Sequence, residues 1–190
     1  KSPSSMLRGG DDIASDYLQP RIGSDIALMI GIAKAVIEAG MEDADFIEKH
    51  TGNVAAYRAQ VHATSWVNIE TSTGLSRAEI ERVAHRYGRA KNVVFAWGMG
   101  MTHHVHGVEN VESIANLALL RGMIGRPNAG LLPLRGHSNV QGIGTIGVKP
   151  LLAEDVMAEM ERQFSISLSR SKGLDTMACL HAAHRGEMDA

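Results

Sequence analysis

Asn92-Val93-Val94-Phe95-Ala96-Trp97-Gly98-Met99-Gly100 decides the fold. Val93 to Trp97 is a short apolar run, and its length and its glycine boundary predict a buried strand. Gly98-Met99-Gly100 predicts a sharp turn. A loop with His103, His104 and His106 follows, then an amphipathic segment from Val108 to Arg121 that predicts a helix. Buried strand, tight turn and helix in succession bring a ligand to the carboxyl end of a parallel strand. A second glycine-rich loop runs from Gly122 to Gly130. It leads into Leu134-Arg135-Gly136-His137-Ser138-Asn139-Val140-Gln141-Gly142, one arginine among small and amide residues. Loops on a rigid scaffold are where chemistry concentrates.

Composition narrows the class. The chain has 190 residues, 44% hydrophobic and 21% charged, as in an ordinary globular protein. That length suits one domain, or one domain plus part of another. A net charge of -2 with mixed signs gives no basic face for nucleic acid. No apolar run approaches the ~18 residues of a membrane span. Cys179 is the single cysteine, so no internal disulfide and no cysteine cluster for zinc or iron–sulfur is available. A reducing, cytoplasmic compartment is expected. The chain has neither a starting Met nor a closing element, so an internal piece of a longer polypeptide is expected.

Outward from the central stretch, the pattern is mostly helical. Asp16 to Leu18 reads as a short strand ended by Pro20. Ile26 to Ala39 reads as a helix, with Ser24 as cap and Gly40 as stop. It is apolar around most of its circumference, which marks a buried helix. Asp45 to His50 and Val54 to Ala63 read as helices, and Trp66 to Thr73 as loop. Ser76 and Glu79 form a capping box for a helix ending near Gly88. Beyond the centre, Ile143 to Pro150 reads as a glycine loop and Leu151 to Arg162 as a helix. Gln163 to Lys172 reads as exposed, and Asp175 caps a helix running to His184 and stopped by Gly186.

Several motifs carry two readings. Gly23-Ser24-Asp25 at a helix start presents backbone N–H groups suited to phosphate and a carboxylate suited to a planar pair of donors. Equally, Asp25 is a carboxylate favoured by the helix dipole. Gly98 and Gly100 permit positive φ and close backbone approach. The three loop histidines lack the helical i, i+4 spacing of a metal site, and no protein-ligated metal is expected. Gly142, Gly144 and Gly147 match G-x-G-x-x-G, but no strand precedes them, so a nicotinamide site is rejected. Arg135 offers a planar fork to an anion on a glycine-flanked loop. Asn139 and Gln141 serve either a ligand or the loop. On residues alone, a nucleotide-dependent enzyme of another α/β family and a cofactor-free interaction domain stay open.

Trp97 to Gly142, WGMGMTHHVHGVENVESIANLALLRGMIGRPNAGLLPLRGHSNVQG, together with RIGSDIAL at Arg21 to Leu28, resembles the molybdopterin oxidoreductases, in the formate dehydrogenase alpha-subunit-like branch. The resemblance covers most of Asp16 to Gly147. It implies an α/β fold, a parallel sheet flanked by helices with a helical insert. It further implies that residues 1–136 are the later part of a cofactor-binding domain and 137–190 the start of the next. The implied cofactor is molybdopterin guanine dinucleotide with molybdenum or tungsten. An iron–sulfur cluster would lie outside this stretch. The implied activity is two-electron oxidation or reduction of a small anionic substrate, with an unidentified electron acceptor. Gly23 and Asp25 are then expected at the guanine. Gly98, Met99, Gly100, His103, Gly136, Asn139, Gln141 and Gly142 are expected around the cofactor. Arg135 and His137 are the expected catalytic residues. His103 and His137 both stand where glutamine is common. The stretch by itself is expected to be inactive, lacking a metal ligand.

Overall fold

The computed structural model describes residues 14–146, 152–171 and 173–188. The first helix among the described residues, α1 (Asp25–Glu38), is the hub. Its apolar residues leave no polar face, and Leu28, Ile32, Ala33, Ala35 and Val36 are all buried. It packs against α3 (Val54–Ala63), α4 (Trp66–Thr73), α5 (Arg77–Arg89) and α7 (Gly107–Leu120). Gly31 allows a close approach to two of them: a Cβ there would lie 3.0 Å from Ile69 Cγ2 and 3.2 Å from Ile80 Cγ2. Lys34 is buried on the same helix and stays satisfied. Its Nζ donates to the Val61 and His62 carbonyls at 3.3 and 3.4 Å and sits 3.6 Å from Glu38. A Schellman motif ends α1: Gly40 N–H donates to Ile37 O and Met41 N–H to Val36 O, with Gly40 at φ +63.

Four helices arise much as the pattern predicts. Asp43 caps α2 (Ala44–His50) by accepting from Phe46 N–H at 3.0 Å. Helix α3 has the predicted bounds, and the Ser76–Glu79 capping box opens α5. The helix α7 begins one residue before its predicted start. Three expectations are corrected. Trp66–Thr73 is the helix α4 rather than loop: Ser65 caps it through Asn68 N–H, and Ile69 and Thr73 face the core. Burial of one face overrides the weak helix propensity of its β-branched residues. Asp16 to Leu18 pairs with no strand; Asp16 instead binds Arg82 and Arg86 of α5. After β1 the chain enters a one-turn helix, α6 (Met99–Thr102), in place of a simple turn.

Strands β1 (Val94–Trp97) and β2 (Gly130–Pro133) form a two-stranded parallel sheet, with Val94 opposite Gly130 and Trp97 opposite Pro133. Of the expected helix-flanked parallel sheet, two strands with helices on one face are present. Phe95 and Leu131 turn toward the helical core, and Phe95 meets Tyr87 edge-on at 5.5 Å between centroids.

The end of α7 shows how tightly this unit is tied. The last four carbonyls of a helix lack intrahelical partners, and all four are satisfied. Leu117 O accepts from Tyr87 Oη at 2.6 Å. Ala118 O accepts from Arg121 and Met123 N–H, Leu119 O from Gly122 N–H and Leu120 O from Asp43 N–H. Arg121 lies over the Tyr87 ring and donates to Met41 O and Ala90 O. Burial raises the Tyr87 phenol well above its usual range, so it stays a donor throughout the folded range.

The chain divides into two compact units, Lys1–Gly136 and His137–Ala190. The second contains α8 (Val140–Thr145), α9 (Glu154–Phe164) and α10 (Thr176–His184). Helix α8 replaces the predicted glycine loop over its length; Gly147 to Pro150 lie outside the described residues. Helix α9 begins at Glu154, after the predicted start at Leu151, which is likewise outside them. Arg170 ties the following segment to α9, donating to Glu154 and Glu161, and this holds the Glu161 carboxyl down at about 2. Asp175 caps α10 through Ala178 N–H, and Gly186 stops it at φ +71.

Two consequences are measurable. Tyr87→Phe strands the Leu117 carbonyl in the core and should cost about 1–3 kcal/mol in urea unfolding. Gly107→Ala should cost about 1–3 kcal/mol, because its Cβ would lie 2.3 Å from the Thr102 carbonyl oxygen and force α6 away from α7.

Candidate functional site

Parallel pairing sends both strands out at the same end. Leu134 N–H donates to Trp97 O at 2.7 Å, so the chain leaves β1 through Gly98 and β2 through Arg135 side by side. A Cβ on Gly136 would lie 3.5 Å from Met99 Sδ, so those two segments lie close together. The structure thus gathers Gly98, Met99, Gly100, Arg135 and Gly136 at the carboxyl end of the sheet. Neither Gly98 nor Gly100 has a positive φ; Gly98 is extended at φ -128. A Cβ at either would meet nothing within 4 Å. The glycines therefore leave the backbone open to a neighbour and serve no turn. The Arg135 side chain is exposed and joins no ion pair among the described residues. An open backbone beside a free guanidinium suits an anionic ligand.

Two residues that sequence reasoning passed over shape this end. Asn110 is buried, and its Nδ2 donates to Met101 O at 2.8 Å, pinning α6 to α7. Gly107 lets the Thr102 backbone lie against the start of α7. A polar residue on the inward face of the predicted helix was the available signal for Asn110. His103 ends α6 with its N–H on Met99 O at 2.8 Å and its side chain exposed. His106 Nδ1 lies 3.9 Å from Glu109. Among the described residues no group of three or more His, Cys, Asp or Glu is placed to hold a metal ion.

A second group stands at the start of α1. Gly23 adopts φ +80, a value that favours glycine. Ser24 occupies the cap position but turns its hydroxyl back, donating to Arg21 O at 2.6 Å, so it caps no N–H of α1. Arg21 anchors this turn to α4 through Thr71 O at 2.7 Å and Thr73 O at 2.9 Å. Beside it lies a cavity of about 370 Å³, with Gly23, Ser24, Ile26 and Ile30 on one wall and Asn68 and Ser72 of α4 on the other. Asp25 is half-buried in the first turn of α1, next to this cavity in sequence but not part of its lining. An apolar wall with an amide and hydroxyl rim suits a planar heterocycle. Asn68 and Ser72 escaped the sequence reading because α4 reads as loop. The signal for that helix was Ser65 followed by Trp66, Ile69 and Thr73 at helical spacing.

The remaining candidates lie in the second unit. His137, Asn139 and Gln141 are exposed. Asn139 adopts φ 54 at the start of α8, and its side chain folds over Gly142, where a Cβ would lie 2.3 Å from Asn139 Nδ2. The Gln141 carbonyl accepts from Thr145 Oγ1 at 2.9 Å. Asn139 thus occupies the space beside Gly142.

The chain is 35% identical over 185 residues to an uncharacterized oxidoreductase of Mycobacterium tuberculosis (strain ATCC 25618 / H37Rv), covering 94% of this chain and 24% of that protein. It is 35% identical over 201 residues to protein YdeP of Escherichia coli (strain K12), covering 100% of this chain and 26% of that protein. A Staphylococcus aureus (strain bovine RF122 / ET3-1) protein provisionally named a formate dehydrogenase is 31% identical over 183 residues, at 92% and 19% coverage. The chain thus spans about a quarter or less of the length of these curated relatives. Helices around a small parallel sheet fit the family model described as Molybdopterin oxidoreductase, which matches residues 11–189. With that match over nearly its whole length, the chain belongs to the molybdopterin oxidoreductase family.

Proposed function

We propose that the full-length protein is a molybdenum-dependent oxidoreductase of the formate dehydrogenase-like branch. It binds molybdopterin guanine dinucleotide and acts on a small anionic substrate. Family membership implies a molybdopterin cofactor with its metal. The observation that carries the finer reading is the convergence of Gly98, Met99, Gly100, Arg135 and Gly136 at one end of the parallel strands. The residues fit the group in part: unshielded glycine backbone in one place, an amide-rimmed cavity beside Gly23 in another.

In this reading Gly98, Met99, Gly100, His103 and Gly136 approach the pterin, and Asp25 accepts two hydrogens from the guanine edge beside Gly23. Asn139, Gln141 and Gly142 contact the cofactor, and His137 acts on the substrate. When bound, the cofactor supplies two-electron redox chemistry at its metal. Arg135 binds the substrate anion through its planar fork and orients it. Residues 1–136 form the later part of the cofactor-binding domain, and 137–190 begin the adjoining one. A helix-flanked parallel sheet is proposed for the whole protein. So is a cytoplasmic location; an iron–sulfur cluster, where the full-length protein has one, would lie outside residues 1–190. No described helix is long and apolar enough to cross a membrane.

Substitutions in the full-length protein separate the roles. Asp25→Ala should lower guanine dinucleotide content, since loss of a charged hydrogen-bond partner costs about 1.5–3 kcal/mol. Unchanged molybdenum and guanine content would remove Asp25 from the site. Arg135→Ala should cut turnover of an anionic substrate by roughly a hundredfold while bound molybdenum and melting temperature hold. Arg135→Lys should recover little, because an ammonium lacks the fork. Cofactor lost in step with activity would make Arg135 a cofactor residue, and no change in either would place the substrate elsewhere.

A further inference from the structure

A buried amide points to how the glycine end of the sheet is held. Asn110 sits inside α7, 3% exposed, on the face it shares with the buried Ser113, Ile114 and Leu117. Asparagine is a poor residue for a helix interior, because its amide competes for backbone groups. A buried amide also costs free energy unless it is hydrogen-bonded. A leucine there would add apolar burial beside Ile114 and avoid both costs. What the amide supplies instead is a donor: Nδ2 reaches the Met101 carbonyl at 2.8 Å.

The receiving segment needs that donor. Helix α6 is a single turn of 4 residues, too short to hold itself in water. Its own backbone bonds run from Met101 N–H to Gly98 O at 3.2 Å and from His103 N–H to Met99 O at 2.8 Å, and neither reaches the core. Gly107 lets α6 lie close to α7, but only a directional bond sets its rotation. Among the described residues, Asn110 makes the one side-chain hydrogen bond that residues 98–102 receive. It lands on Met101, next to Gly100 and two residues from Met99. Helix α7 is a firm base, seated in the core through Leu117 and Leu120. Arg135 leaves from β2, whose ladder to β1 does not pass through Asn110. We infer that Asn110 is a positioning residue: acting through the Met101 carbonyl, it orients Gly98, Met99 and Gly100 toward the cofactor. The inference rests on the reading above that these residues approach the pterin.

The test uses the full-length protein with Asn110→Leu, which removes the donor at little change in volume, and Asn110→Ala in case the leucine does not fold. Tyr87→Phe is the control for destabilisation, since it loses a side-chain bond to a carbonyl of the same helix without touching α6. Amide hydrogen exchange over residues 98–104 should quicken roughly fivefold in the Asn110 variants, the scale of one lost hydrogen bond, and hold in Tyr87→Phe. Bound molybdopterin should fall, or the Mo(V) paramagnetic resonance on dithionite reduction should shift in g value, in the Asn110 variants and not in Tyr87→Phe. Unchanged exchange, an unchanged cofactor and Mo(V) signal in the Asn110 variants, or the same change in Tyr87→Phe overturns the inference and leaves the site reading standing. Wild-type protein without molybdopterin, assayed by its fluorescent oxidation product, overturns the site reading and the inference with it.

Discussion

The apolar helix α1, buried or half-buried along nearly its whole length, is the constraint on which the first unit depends. A helix with apolar residues on every side cannot rest on a surface. It forces α3, α4, α5 and α7 to assemble around it. Burying a side chain such as Val36 or Ile32 contributes about 1.5–3 kcal/mol relative to exposure, and several such residues share the helix. Gly31 fixes how close α4 and α5 come, because Ile69 and Ile80 take up the space its missing side chain leaves. The turn from Arg21 to Ser24 follows from the same packing. Once α4 is seated on α1, the Thr71 and Thr73 carbonyls are in place to receive Arg21.

The carboxyl end of the sheet is built on that scaffold in a short chain of dependencies. Tyr87 of α5 meets Phe95 of β1 and donates to the end of α7, so one side chain ties two helices to the sheet. Parallel pairing then sets Gly98 beside Arg135, although residues 98–129, all helix and loop, separate β1 from β2. Asn110 and Gly107 hold the one-turn helix that follows Gly98. The open backbone is therefore carried on a rigid base, as a site that must position a ligand requires.

The second unit is held differently. Met157 and Ala182 are its buried apolar residues among those described, and its visible ties are ionic, centred on Arg170 with Glu154 and Glu161. Exposed ion pairs of this kind contribute little individually.

The sequence by itself determined the elements whose signal is local. The Ser76–Glu79 box, the Asp175 cap and the Gly40 and Gly186 stops are interactions between near neighbours, and all are present. It also determined the family, through two motifs that the match over residues 11–189 supports. Tertiary structure decided what neighbours in sequence cannot. Helix α4 forms because α1 buries its Ile69 face, which outweighs the β-branched residues that read as loop. Asp16 to Leu18 stays unpaired because Asp16 has two arginines of α5 to bind. That Met99 lies near Gly136, and that Asn68 and Ser72 rim a cavity beside Gly23, follows only from packing between distant segments. Side-chain contacts across such separations have no periodicity to read; they exist once the hydrophobic core has fixed where each helix lies.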